Sequence, residues 1–215
     1  MSYISLLSMG QIIFLIIVPI VILLMIAVAI FIPVHNYRVK KNFRYYYYKK
    51  LYSIAMDKDY YLINNFLFKI DSSHVGRIDH ILFGDKYIYM CTDCMFDGNI
   101  DGKEDDSSFI LIGRDGKKVY EDNPILANRK LIDKLCLITG LDQSLMIGVC
   151  IYNDDCHCSV ETTSKSSYMV QVGRLKALVR AIESREIGEI NKAQLASAVK
   201  AIDKLNRRNR SSGKK

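Results

Sequence analysis

Twenty-three consecutive residues, Ile12 to Val34, carry no charge and are dominated by Ile, Val, Leu and Phe. A helix needs about 20 apolar residues to cross a bilayer, and soluble helices of that length keep at least one polar face. The run is therefore read as a transmembrane helix over residues 12–34. Pro19 inside it is tolerated in a membrane, where neighbouring groups satisfy the freed backbone carbonyl. A cleaved signal peptide would carry a basic start, a shorter apolar stretch and small residues at the cut. Residues 1–11 contain no Lys or Arg, and no Ala-x-Ala site immediately follows the run. The segment is thus expected to remain as an anchor, with residues 1–11 as a short extracytoplasmic N-terminus.

Charge fixes the expected orientation. Arg38, Lys40, Lys41, Arg44, Lys49 and Lys50 crowd the residues just after the run, and nothing basic precedes it. Positive flanks stay inside, which predicts a single-pass protein of the cell membrane with its C-terminal part in the cytoplasm. Residues 35–58 carry a net charge of +6 and residues 203–215 one of +5, whereas residues 59–202 sum to −4. The chain's overall +7 is therefore concentrated at the two ends of a mildly acidic domain. Basic residues beside a span attract anionic lipid head groups at about 1 kcal/mol each, so these six residues are candidate membrane-interface contacts. Nucleic acid is the alternative partner, although its footprint more often covers a face of a fold. The six cysteines, in a domain facing the cytoplasm, are expected as reduced thiols.

At 215 residues the chain has room for the anchor and one domain of ordinary size. Residues 35–58 read as a basic, aromatic juxtamembrane helix, with Leu51, Ile54 and Ala55 on a packing face and Tyr45 to Tyr48 and Tyr52 forming a belt. Strand-like runs follow at Tyr60–Phe68, Gly76–Phe83, Lys86–Thr92, Ser108–Ile112 and Lys117–Tyr120, with hairpin signals at Gly84-Asp85 and Asp115-Gly116. Asn123-Pro124 opens a helix that Gly140 closes. Met146–Tyr152 and Tyr168–Val172 read as strands, and two helices follow over residues 173–206, with a disordered basic tail over 207–215. This order predicts the α/β class, a mixed sheet flanked by helices.

One stretch carries chemistry. Gly76-Arg77-Ile78-Asp79-His80-Ile81-Leu82-Phe83-Gly84 places an acidic residue inside a strand, and Gly98-x-Ile100-x-Gly102 lies beyond the next strand. With Asp59-Tyr60-Tyr61-Leu62-Ile63-Asn64-Asn65 before them and Asn123-Pro124 after, these segments resemble the nuclease-related domain (NERD) family over residues 43–172. The resemblance implies a restriction-endonuclease-like core, a glycine turn at residues 98–102 and a metal-dependent phosphodiesterase site. Such a site needs two or three carboxylates around Mg²⁺ and a lysine that orients water or neutralises phosphate charge. By the resemblance, Asp79 falls on the first metal ligand, His80 and Asn123 are retained binding positions, Thr92 replaces the catalytic Glu and Cys94 the Lys. Ala127 stands where the family has Gln, and no Glu lies around Arg44–Tyr46. Asp93 is a second candidate carboxylate, though adjacent strand residues point to opposite faces unless a bulge intervenes. Asp97 and Asp101 are further carboxylates that a rearranged site would use.

Cys91-x-x-Cys94 with Cys156-His157-Cys158 offers enough sulfur and nitrogen for zinc, but residues 91–94 lie mainly on a strand, and ordinary thiols are the alternative. Three functional readings stay open. The first is a catalytically degenerate module binding nucleic acid or protein at the membrane. The second is a working nuclease with a rearranged carboxylate site and Mg²⁺. The third is a purely structural or interaction protein.

Overall fold

Alternating apolar residues build the centre of the domain from a β-meander. The computed structural model describes residues 9–70, 73–186 and 190–212. Strands β1 (Tyr61–Lys69), β2 (Val75–Phe83) and β3 (Ile88–Asp93) pair antiparallel, with Gly84 N–H bonding Tyr87 O at 2.9 Å across the β2–β3 turn. β7 (Met146–Tyr152) and β9 (Ser167–Gln171) then add parallel to β3, giving a five-stranded mixed sheet in the order β1-β2-β3-β7-β9. Every residue of β7 is buried, as expected for a central parallel strand covered on both faces.

A second sheet, β6-β5-β4-β8, consists of β4 (Gly98–Lys103), β5 (Ser108–Gly113), β6 (Lys118–Asp122) and β8 (Cys158–Glu161). This corrects the expectation of a glycine turn: Gly98 and Gly102 begin and nearly end a strand. Both adopt positive φ, 153° and 152°. A Cβ on Gly98 would lie 2.2 Å from the backbone oxygen of Ile112 on β5, so glycine is required by the close strand approach. The α/β class holds, with two sheets where one was expected.

The N-terminal unit, residues 1–43, is dominated by α1 (Met9–Lys41), which contains Pro19 and Pro33. Its segment Phe14–Val34 is apolar, exposed and long enough to cross a membrane. The second unit, Arg44–Lys215, contains the rest of the fold. Its first helix, α2 (Phe43–Lys58), buries Leu51, Ile54 and Ala55 as expected, together with Tyr47, and leaves Tyr45 and Tyr52 exposed. Asp59, at φ 55°, reverses the chain there, and Tyr60 N–H bonds back to Ala55 O at 2.9 Å.

Helix α3 (Pro124–Thr139) buries Ile125, Asn128, Ile132 and Leu135 at helical spacing. Two further helices, α4 (Leu175–Glu183) and α5 (Lys192–Ser212), contribute Leu175, Val179 and Ile182, and Ala198 and Ile202, to the interior. α5 is helical through Ser212, so helix covers 207–212 of the tail expected to be disordered; residues 213–215 lie outside the described residues.

Candidate functional site

A phase break in β1 and β2 assembles the site. Ile63 and Phe66 on β1, and Ile78 and Ile81 on β2, all enter one hydrophobic core. Strand side chains alternate with a period of two, yet these core residues are three apart on both strands. Ile63 pairs with Ile81 and Phe66 with Ile78, so both strands shift phase together between them. Asn65 takes up the distortion at φ 51°, a left-handed conformation that Asn tolerates better than most residues. Two consecutive residues on β2, Asp79 and His80, thereby turn away from that core.

Both reach β3. Asp79 Oδ2 accepts the N–H of Asp93 at 3.1 Å, two residues beyond the last β2–β3 pair, His80 with Cys91. His80 Nε2 lies 3.1 Å from Asp93 Oδ2, and its Nδ1 lies 2.6 Å from Asn64 Oδ1. Tyr48 of α2 stacks on the imidazole with ring centroids 6.4 Å apart. Asp79 Oδ1 lies 3.3 Å from the Arg77 guanidinium. The structure thus places both candidate carboxylates, Asp79 and Asp93, beside His80 and each other, Asp79 through the Asp93 backbone N–H.

The pair formed by His80 and Asp93 is dry. His80 is 5% exposed and the Asp93 side chain 0%. Burial pushes the Asp93 carboxyl above its ordinary value; His80 and Arg44 act against that shift and the Asp79 charge adds to it. Asp93 Oδ1 has no hydrogen-bond partner among the described residues. Since Asn64 Oδ1 is an acceptor, Nδ1 of His80 carries a proton. A single further proton then suffices for the hydrogen bond between Nε2 and Asp93.

Cys94 sits elsewhere. It is 8% exposed and packs with Phe96, Ile100, Phe109, Ile125 and Cys150. The neighbouring Cys150 thiol and burial hold it far above the usual thiol range, and burial likewise raises Cys91. Protonated buried thiols are poor ligands and poor nucleophiles. Cys156 is buried, Cys158 half-buried and His157 exposed.

A resident Mg²⁺ would need several free oxygen donors in near-octahedral array. Asp79 spends its oxygens on Arg77 and the Asp93 N–H, and one Asp93 oxygen faces His80. Among the described residues, no three His, Cys, Asp or Glu side chains are placed to share an ion. The donor set does not fit Mg²⁺, nor does the cysteine set fit zinc.

Asn123 is 2% exposed. Its Oδ1 accepts the N–H groups of Ile125 and Leu126, and its Nδ2 donates to the carbonyls of Glu104 and Asp106, at 2.7–3.3 Å. These bonds cap α3 and tie it to the β4–β5 loop. Sequence reasoning missed Asn128, which donates to Met90 O on β3 at 2.9 Å. It also missed Asn153, which grips both backbone atoms of Phe96 at 2.9 and 3.0 Å. Asn128 was detectable in principle, since it shares the helical spacing of Ile125 and Ile132. Of the expected interface cations, Arg38, Lys40 and Lys41 lie on α1, while Arg44, Lys49 and Lys50 lie exposed on α2.

Mixed sheets flanked by helices, with the Asp-His strand β2 paired to a β3 that runs parallel to its other neighbour, make this an α/β domain. The nuclease-related domain family model matches residues 40–153, and the chain belongs to that family. Searches of curated proteins and of solved structures found no match.

Proposed function

We propose that this protein is a membrane-anchored nuclease-related domain that no longer cleaves phosphodiesters and acts as a binding module for nucleic acid or protein. The observation that carries this reading is Cys94. By the family pattern it occupies the lysine position, yet it lies in an apolar cluster with no place for an ammonium group. Thr92 at the glutamate position supplies no carboxylate, and Asp79 and Asp93 are engaged within the sheet. Family membership supports nucleic acid as a partner.

In this reading Phe14–Val34 crosses the cell membrane once and the basic flank keeps the domain in the cytoplasm. Lys49 lies over the Tyr45 ring at 4.8 Å and Lys50 over Tyr46 at 5.5 Å. Such a cationic, aromatic helix suits anionic lipid head groups.

The unpartnered Oδ1 of Asp93 favours a second reading, an active nuclease whose carboxylates have been rearranged. Asp97 is the nearest recruit in sequence, but it pairs with Arg114 at 3.6 Å, and both side chains are exposed.

Incubating the full chain in detergent with supercoiled plasmid and single-stranded DNA, with Mg²⁺ or Mn²⁺, is expected to give no nicking. Nicking abolished by Asp79→Ala would refute the proposal. DNA binding that weakens with salt distinguishes a nucleic-acid module from a purely structural protein.

A further inference from the structure

Strand β6 ends the second sheet and, among the described residues, pairs only with β5. All five of its residues are exposed, Val119 at 51% and Tyr120 at 75%. An exposed edge presents unpaired N–H and C=O groups as a template for another strand. Which groups point outward follows from the ladder. Gly113 N–H bonds Lys117 O at 2.8 Å at one end, and Asn123 N–H bonds Ser107 O at 3.4 Å at the other. In an antiparallel pair the bonded residues alternate, so Lys117, Val119, Glu121 and Asn123 bond inward. Lys118, Tyr120 and Asp122 then direct their backbone groups outward.

We propose that this edge pairs antiparallel with β6 of a second copy of the chain, centred on Tyr120. In that register Tyr120 meets Tyr120, and Lys118 meets Asp122 twice across the two-fold axis. All three positions belong to the outward-bonding set, so hydrogen bonding and charge agree on one alignment. Val119 faces Glu121 on the opposite side. A shift of two residues in one direction places Glu121 against Glu121, and in the other it separates Lys118 from Asp122. The resulting interface is isologous, the same patch on both copies, and continues two four-stranded sheets into one. The edge carries Lys118 at one end and Glu121 and Asp122 at the other, which discourages indiscriminate strand addition while matching itself. This inference is independent of the functional reading above.

Cysteine cross-linking of the full chain in detergent micelles tests it, with the parent chain and its six thiols as baseline. Facing bonded residues have Cα atoms about 5.5 Å apart, inside the roughly 4.4–6.8 Å that a disulfide spans. Tyr120→Cys, at a position too exposed to disturb folding, is expected to yield a covalent dimer on mild oxidation. Lys117→Cys, whose symmetry mate lies about 20 Å along the strand direction, is expected to remain monomeric. Lys118→Asp should weaken dimerisation by roughly 2- to 30-fold, from two opposed like-charge pairs, and Lys118→Asp with Asp122→Lys should restore it. Absence of the Tyr120→Cys dimer, equal yield from Lys117→Cys, or failure of the exchanged charges to restore association would each overturn the proposal.

Discussion

His80→Ala isolates what the dry pair beneath Tyr48 does. The substitution removes the His80 partner of the Asp93 carboxyl, 0% exposed, and also the bond to Asn64. Leaving a buried acceptor without its partner costs about 1–3 kcal/mol, and more when it is charged. The cost depends on pH in a defined sense. Asp93 is raised in the folded protein relative to an unfolded aspartate near about 3.9. A raised carboxyl favours folding fully below its unfolded value, and that contribution is lost as pH rises through the folded value. Removing His80 takes away a cause that lowers Asp93, so the variant loses this contribution over a wider range. The stability gap between parent and variant should therefore be smallest near pH 4, widen as pH rises and level off near neutrality. Denaturant unfolding of the full chain in detergent reads this, with near-UV circular dichroism from the 14 tyrosines as probe. A gap below about 1 kcal/mol at pH 7, or one that does not change between pH 4 and 7, would refute the reasoning.

Other substitutions test separate steps. Thr92→Glu with Cys94→Lys rebuilds the family pattern, yet plasmid nicking should stay absent and stability should fall by roughly 3–5 kcal/mol, the cost of an uncompensated buried charge. Gly98→Ala forces a Cβ to 2.2 Å from Ile112 O and should cost about 1–3 kcal/mol in denaturant unfolding. Asn123→Ala loses the α3 cap at about 1–2 kcal/mol as well as the amide bonds to Glu104 and Asp106. Asn123→Asp keeps the cap acceptor while losing those donors, so it should fall between the parent and Asn123→Ala in the same unfolding assay.

The regular part of the fold was legible because burial imposes periods. β7 is buried throughout, β1 and β2 are apolar runs that alternate only in part, on one side of their shared phase break, and α3 announces itself through Asn123-Pro124 and Gly140. β4 and β8 were not legible. β4 has Gly98 and Gly102 near its ends and only Ile100 buried, so by local signal it is a turn. Its pairing with β5 and β8 makes it a strand, which is a tertiary effect. The Asp79-His80 dipeptide was visible in the sequence, but its geometry depends on a phase shift shared by two strands. Asn64-Asn65 was the only local hint of it, and a two-residue polar step does not by itself fix a bulge.

That phase shift also gives Asp79 a role within the sheet. The β2–β3 ladder stops at His80 and Cys91, leaving the Asp93 N–H beyond its reach, and the Asp79 carboxylate supplies the missing acceptor. An unmade bond at a buried N–H costs about 1–3 kcal/mol. Asp79→Ala therefore perturbs the sheet as well as any chemistry, and a loss of activity in that variant would have two causes. Asp79→Asn separates them. Its amide oxygen still accepts the Asp93 N–H while its charge, which raises Asp93, is gone. Fold retained with Asn but weakened with Ala would mean that Asp79 serves the strand pairing itself, a role selected by backbone geometry and indifferent to phosphodiester cleavage.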